Sequence, residues 1–165
     1  MKVLLIHNDK IRAESIIERN TDDKILSKVL HSVQEIQLKP ILGKDLFETV
    51  CTAVIAKIAD SAYMFEEPIK ELLENYIQPF LINATVAEFI VINNYKITNK
   101  GVQKMNDNSS NSITANEIEY IKNYYDNFVS TYKSNLIKFL NESKLTECGT
   151  DKNITMPITG WYLGN

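Results

Sequence analysis

Between Pro79 and Asn93 the chain is apolar on nearly every side of a helix. Phe80, Leu81, Ile82, Ala84, Val86, Ala87, Phe89, Ile90, Val91 and Ile92 leave Asn83, Thr85 and Glu88 as the polar positions. A helix with this pattern is stable in water only when other elements enclose most of its surface. It must therefore sit at the centre of the fold, and the rest of the chain has to supply amphipathic partners. The stretch is shorter than the ~20 residues a membrane span requires, so the reading is a core helix of a soluble protein.

The partners are legible from spacing. Ile25, Leu26, Val29, Leu30, Val33 and Ile36 recur at intervals of three and four, which predicts a helix from about Thr21. Thr21 is its expected cap, and Asp22 and Asp23 place negative charge where the helix dipole favours it. Pro40 lacks an N–H and disfavours helix at Lys39, so Pro40-Ile41-Leu42-Gly43 reads as a corner. A second helix follows from about Lys44 to Ile58, with Leu46, Phe47, Val50, Val54 and Ile58 on its apolar face, and residues 59–66 form a loop. A third opens at Glu67-Pro68, with proline at the favoured first position. Its face is Ile69, Leu72, Leu73, Tyr76, Ile77 and Phe80, and Pro79 within it is expected to kink or divide the helix, at ~3 kcal/mol if it were straight. Thr114-Ala115-Asn116-Glu117 matches a capping box. Behind it Ile118, Ile121, Tyr125, Phe128, Tyr132, Leu136, Phe139 and Leu140 predict an unbroken helix of roughly seven turns, to about Ser143.

The remaining segments are not helical by pattern. Val3, Leu4, Leu5 and Ile6 suggest a short strand and Ile16-Ile17 a second, with a helical turn near Asn8 to Ala13 between them. Two isolated strands are marginal, so this arm needs the helical core or a neighbouring molecule to hold it. Tyr95, Ile97 and Val102 alternate loosely with polar residues around Asn99-Lys100-Gly101, which fits a turn or small hairpin, and residues 106–112 form a polar loop. The end of the chain carries Ile158, Trp161, Tyr162 and Leu163, a density of apolar groups that points to docking on its own core or on a partner. The expected architecture is mainly α: a compact bundle of about four to five helices. An N-terminal strand arm (1–18) precedes a helical domain (19–144) with a projection at 93–113, and an extended tail (145–165) follows.

Chemistry is hard to place on this chain. No Gly-rich phosphate loop, paired-cysteine metal site or metalloprotease helix motif is present. His7 and His31 have no nucleophile or carboxylate patterned around them and read as surface or hinge residues. Glu66, Glu67, Glu71 and Glu74 sit at a helix start, where the dipole and solvation explain them. Cys51 lies in an apolar run and reads as a small buried hydrophobe; Cys148 lies in polar sequence, and nothing supports a disulfide framework. With a net charge of −3, a pI near 5.5 and lysines interspersed with acids, the chain lacks the basic stripe of a dedicated nucleic-acid binder. Met1 to Ile6 is too short an apolar run for a signal peptide. Tyr120 and Tyr124 fall outside the apolar stripe of the last helix; interface contact and ordinary partial burial both account for them. No enzyme activity, metal or cofactor is expected.

Several segments carry a likeness. Met1-Lys2-Val3-Leu4-Leu5-Ile6, then Gln34-Glu35 with Lys39-Pro40-Ile41-Leu42-Gly43-Lys44-Asp45-Leu46, then Tyr76-Ile77-Gln78-Pro79-Phe80-Leu81, then Tyr95-Lys96-Ile97-Thr98-Asn99-Lys100-Gly101-Val102, and the closing Ile158-Thr159-Gly160-Trp161-Tyr162-Leu163-Gly164 resemble the head–tail connector (adaptor) family of Bacteroidetes-infecting phages. The nearest likeness is to the ring proteins in the neck of crAss-like phages. The resemblance implies a non-enzymatic, mainly helical subunit made in the bacterial host cytoplasm and placed in the virion neck. It also implies a twelve-fold ring around the DNA channel, touching portal protein on one side and other ring or tail proteins on the other. DNA would be enclosed without sequence-specific contact. On that reading Val3, Leu4, Leu5, Ile6, Tyr95, Ile97, Asn99, Lys100, Val102, Ile158, Trp161, Tyr162 and Leu163 are the candidate partner contacts. The residues alone leave a second reading open, a monomeric helical binding or regulatory module.

Overall fold

The computed structural model describes residues 3–99, 101–104, 114–143 and 145. Its centre is helix α6 (Gln78–Ile92), in which Phe80, Leu81, Ile82, Ala84, Thr85, Val86, Ala87 and Phe89 are buried. Two long amphipathic helices enclose it: α2 (Asp23–Val33) and α7 (Ala115–Ser143). Leu26, Val29, Leu30 and Val33 come from α2, and Leu136, Phe139 and Leu140 from the C-terminal half of α7. Tyr76 stacks on Phe139 with centroids 4.2 Å apart and planes at 21°, which fixes the end of α7 against the start of the central helix. The remaining helices are α1 (Asn8–Ala13), α3 (Lys39–Leu42), α4 (Lys44–Ala59) and the short α5 (Ile69–Glu71). The fold is thus the mainly helical bundle that the apolar periodicity requires.

Both prolines act differently from expectation. Pro40 does not end the first helix: α2 runs through a π-helical segment, Gln34–Leu38, into α3, and the break comes at Gly43. Pro79 likewise comes after a π segment, Leu72–Ile77, and α5 to α6 forms one path from Ile69 to Ile92. In each case the last π bond spans five residues, from the Lys39 N–H to the Gln34 carbonyl and from the Gln78 N–H to the Leu73 carbonyl. A fresh α register then starts, with proline in its first turn. A proline N–H is not needed there, so the usual penalty of a mid-helix proline is avoided. The extra residue also rotates the helix beyond it: Leu38 and Leu42 face the core, whereas Ile36, expected on the buried stripe, is 70% exposed. Gly43 makes the corner with φ 76°, a left-handed value that a residue with a Cβ adopts only with strain. The 24-residue path Ile69–Ile92 is long and apolar enough to cross a membrane, yet about half of it is buried inside this bundle.

Three smaller expectations also change. The cap of α2 is Asp22, whose carboxylate accepts the Lys24 N–H at 2.7 Å; Thr21 belongs to the preceding turn, its N–H bonded to the Glu18 carbonyl. Ile58, expected on the apolar face of α4, is exposed near that helix's end. Residues 3–6 and 16–17 form no strands. The capping box of α7 is formed as the sequence implies: Glu117 accepts the Thr114 N–H at 2.8 Å, and the Thr114 hydroxyl accepts the Glu117 N–H at 3.3 Å. After α6, β1 (Tyr95–Thr98) and β2 (Gly101–Lys104) pair antiparallel, with Ile97 opposite Val102 and Thr98 opposite Gly101.

Candidate functional site

The N-terminal segment is held by the chain itself. Gln34, 1% exposed at the first position of the π segment, accepts the Leu5 N–H on its Oε1 at 2.9 Å and donates from Nε2 to the Val3 carbonyl at 3.1 Å. One side-chain amide thus satisfies the backbone groups that a neighbouring strand would otherwise pair, which is why no strand is needed. Leu5 and Ile6 are buried in the core, and Val3 and Leu4 pack half-buried against it. The expected arm is therefore a docked segment, with its two most apolar contacts spent inside the chain. No motif marks Gln34 in the sequence; its one signal is a polar residue beside an apolar stripe, at the place where the helix meets Pro40.

A second anchor lies at the start of α2. Asn8 donates to Asp23 Oδ1 at 3.0 Å and Ser27 Oγ at 2.8 Å. Arg12 Nη2 donates to Asp23 Oδ1 at 2.7 Å and to the Thr21 carbonyl at 3.0 Å, and Nη1 reaches Asp9 at 3.2 Å. The Arg12 and Asn8 hydrogen bonds hold the Asp23 carboxyl below its ordinary range. Cys51 is half-buried rather than fully enclosed; burial first, then the charges of Glu35 and Glu48, push its thiol up, away from the reactive thiolate. Among the described residues no group of three His, Cys, Asp or Glu side chains could hold a metal ion.

The described surface also exposes large apolar groups. Along α7, Tyr120 is 77% exposed, Tyr124 55% and Phe128 38%, and Tyr124 meets Phe128 edge to face at 4.8 Å. Tyr120 and Tyr124 thus lie on the surface, as their position outside the stripe implied, and Phe128 joins them despite belonging to it. Further down α7, a groove of 680 Å³ lies between this helix and the first π segment with α3, lined by Ile36, Pro40, Ile41, Val129, Lys133 and Ile137. Of the other sequence candidates, Tyr95, Ile97 and Val102 lie on the hairpin and Asn99 at its exposed turn. Lys100, Ile158, Trp161, Tyr162 and Leu163 lie outside the described residues. The structure brings Leu5 and Ile6 into the core with Val3 and Leu4 packed against it, and places Tyr95, Ile97, Asn99 and Val102 on the hairpin beyond the end of α6.

One family model matches the chain, over residues 38–149, and its description is "Family of unknown function (DUF6712)". No curated protein and no solved structure matches.

Proposed function

The chain belongs to the DUF6712 family of unknown function, and we propose that it is a structural head–tail connector subunit of a tailed phage. In this reading copies of the chain, twelve by analogy with the family it resembles, form a ring in the virion neck between portal protein and tail. The ring encloses the DNA without reading its sequence. The observation that carries the reading is the exposed ridge Tyr120, Tyr124 and Phe128 on a 29-residue helix anchored at its other end in the core. Aromatic side chains are enriched where proteins meet, because they bury large area at little entropic cost, and Tyr124 in contact with Phe128, with Tyr120 one turn before them on the same helix, suits a fixed protein partner. The exposed hairpin turn at Asn99 is the further contact proposed.

The test is mass measurement in solution, by light scattering, of the chain alone and with portal protein. The connector reading expects a higher-order species that contains portal. The Tyr120→Ser/Tyr124→Ser variant should lose most of it while its unfolding free energy stays within about 0.5 kcal/mol, the usual range for surface changes. The burial of Leu5 and Ile6 in the chain's own core favours the second reading, a self-contained helical binding or regulatory module. A chain that stays monomeric with portal present, with or without the two tyrosines, decides for that module.

A further inference from the structure

We propose that the C-terminal segment 158–163 of this chain docks in the groove between α7 and the first π segment, so that Trp161 covers Ile36 and Ile137. The groove is a made feature of the fold. The π segment rotates Ile36 out of the core stripe, and α7 sets Ile137, 41% exposed, opposite. Its 680 Å³ lies within the ~300–1,000 Å³ typical of pockets that take large apolar groups.

The occupant is set by what the rest of the chain offers. Of the segments outside the described residues, 105–113 is polar apart from Met105 and Ile113, whereas Ile158-Thr159-Gly160-Trp161-Tyr162-Leu163 is uncharged and largely apolar. Leu145, just beyond α7, packs against the core, so the chain leaves the helix close to the body. From Ser143 back to Val129 along α7 is roughly 21 Å at ~1.5 Å per residue. The link from residue 146 to 160 spans up to roughly 50 Å when extended, enough to turn and lie antiparallel to the helix. A second groove, of 670 Å³ between the loop before α2 and the end of α6, also has apolar lining from Ile16, Ile17 and Phe89, but Glu18 and Asp22 give it two carboxylates and no cation. In the first groove the one carboxylate, Asp126, is accompanied by Lys133, so the second is the poorer match to an uncharged apolar segment. Tethering raises the local concentration of the segment to the millimolar range for a short flexible link, which favours the chain's own groove over that of a second copy. This inference does not depend on the connector reading.

Trp161 is the only tryptophan, so its fluorescence reports the segment directly. The full-length chain should show blue-shifted emission and protection from acrylamide, independent of protein concentration. Ile36→Asp and Ile137→Asp, both at exposed positions, should each shift emission to the red and raise the quenching constant severalfold, with far-UV circular dichroism unchanged. Ile16→Asp, in the second groove, should leave emission in place. Emission of a fully solvated tryptophan in the full-length chain overturns the proposal. So does a blue shift that appears only on concentration, which assigns the segment to a second copy, or one that responds to Ile16→Asp and not to the first two variants. Portal binding is a separate measurement, so failure of the docking and failure of the connector reading are told apart.

Discussion

Replacing Gln34 by methionine isolates what its amide does. Methionine fills nearly the same space, so the change removes two hydrogen bonds and leaves little cavity. The Leu5 N–H is buried within 2.9 Å of Gln34 Oε1, and losing that acceptor leaves it unpaired. An unpaired buried backbone group costs about 1–3 kcal/mol. The Val3 carbonyl belongs to a half-buried residue, so water recovers part of its bond. Methionine also no longer needs the desolvation of a buried amide, which offsets part of the loss. The net expectation is a decrease of about 1–3 kcal/mol, to be set against a typical domain stability of about 5–15 kcal/mol.

That loss should loosen the N-terminal segment without freeing it. Leu5 and Ile6 are each almost fully buried, and burial of such a side chain is worth about 1.5–3 kcal/mol. Together they exceed what the amide contributes. Hydrogen exchange at the Leu5 amide should therefore accelerate about tenfold for every 1.4 kcal/mol lost, while core amides of α6 slow or quicken only with global stability. Denaturant unfolding followed by circular dichroism gives the global figure. If Gln34→Met leaves stability within about 0.5 kcal/mol and Leu5 protection unchanged, the amide is not the clamp and the reasoning from unpaired backbone groups is wrong here.

Three further outcomes test other parts of the fold. Pro79→Ala should change stability by less than about 1 kcal/mol, because the π segment already places residue 79 where no N–H is needed; a gain near the ~3 kcal/mol of a mid-helix proline would refute that register. Thr85 is fully buried and its Oγ1 has no hydrogen-bond partner, so Thr85→Val should stabilise the chain by about 1 kcal/mol in denaturant titration, and a loss would reveal a bond to that hydroxyl. The Asp23 carboxyl is held below its ordinary range, so its contribution is complete above the unfolded value of about 3.9 and disappears as pH falls through the lower folded value. The melting temperatures of the native chain and Asp23→Asn should accordingly differ at pH 7 and converge toward pH 2; a constant gap across that range would put the effect of the substitution elsewhere.

How much of this was legible in the sequence depends on what each signal reports. Apolar spacing reports a face, and it located α2, α4 and α7 because each keeps one face over several turns, whereas α6 was legible from being apolar on nearly every side. Capping chemistry is local, so Thr114 and Glu117 could be read without knowing the fold. A proline reports only a missing donor, and whether that breaks a helix depends on the register around it. At Pro40 and Pro79 a five-residue hydrogen bond just upstream supplies a register in which the donor is not missed. Nothing in the residue types marks that bond, and it changes the phase of everything after it: extrapolating the spacing of three and four from Ile25 put Ile36 in the core, and the inserted residue turned it outward to line a groove. Gln34, four residues after Leu30, lies on the buried stripe at the start of that segment, and its type does not reveal that its amide clamps Val3 and Leu5. The outward turn of Ile36 thus follows from a shift of a single residue in one helix. The surface where partners would bind is the part of the molecule most sensitive to such a shift.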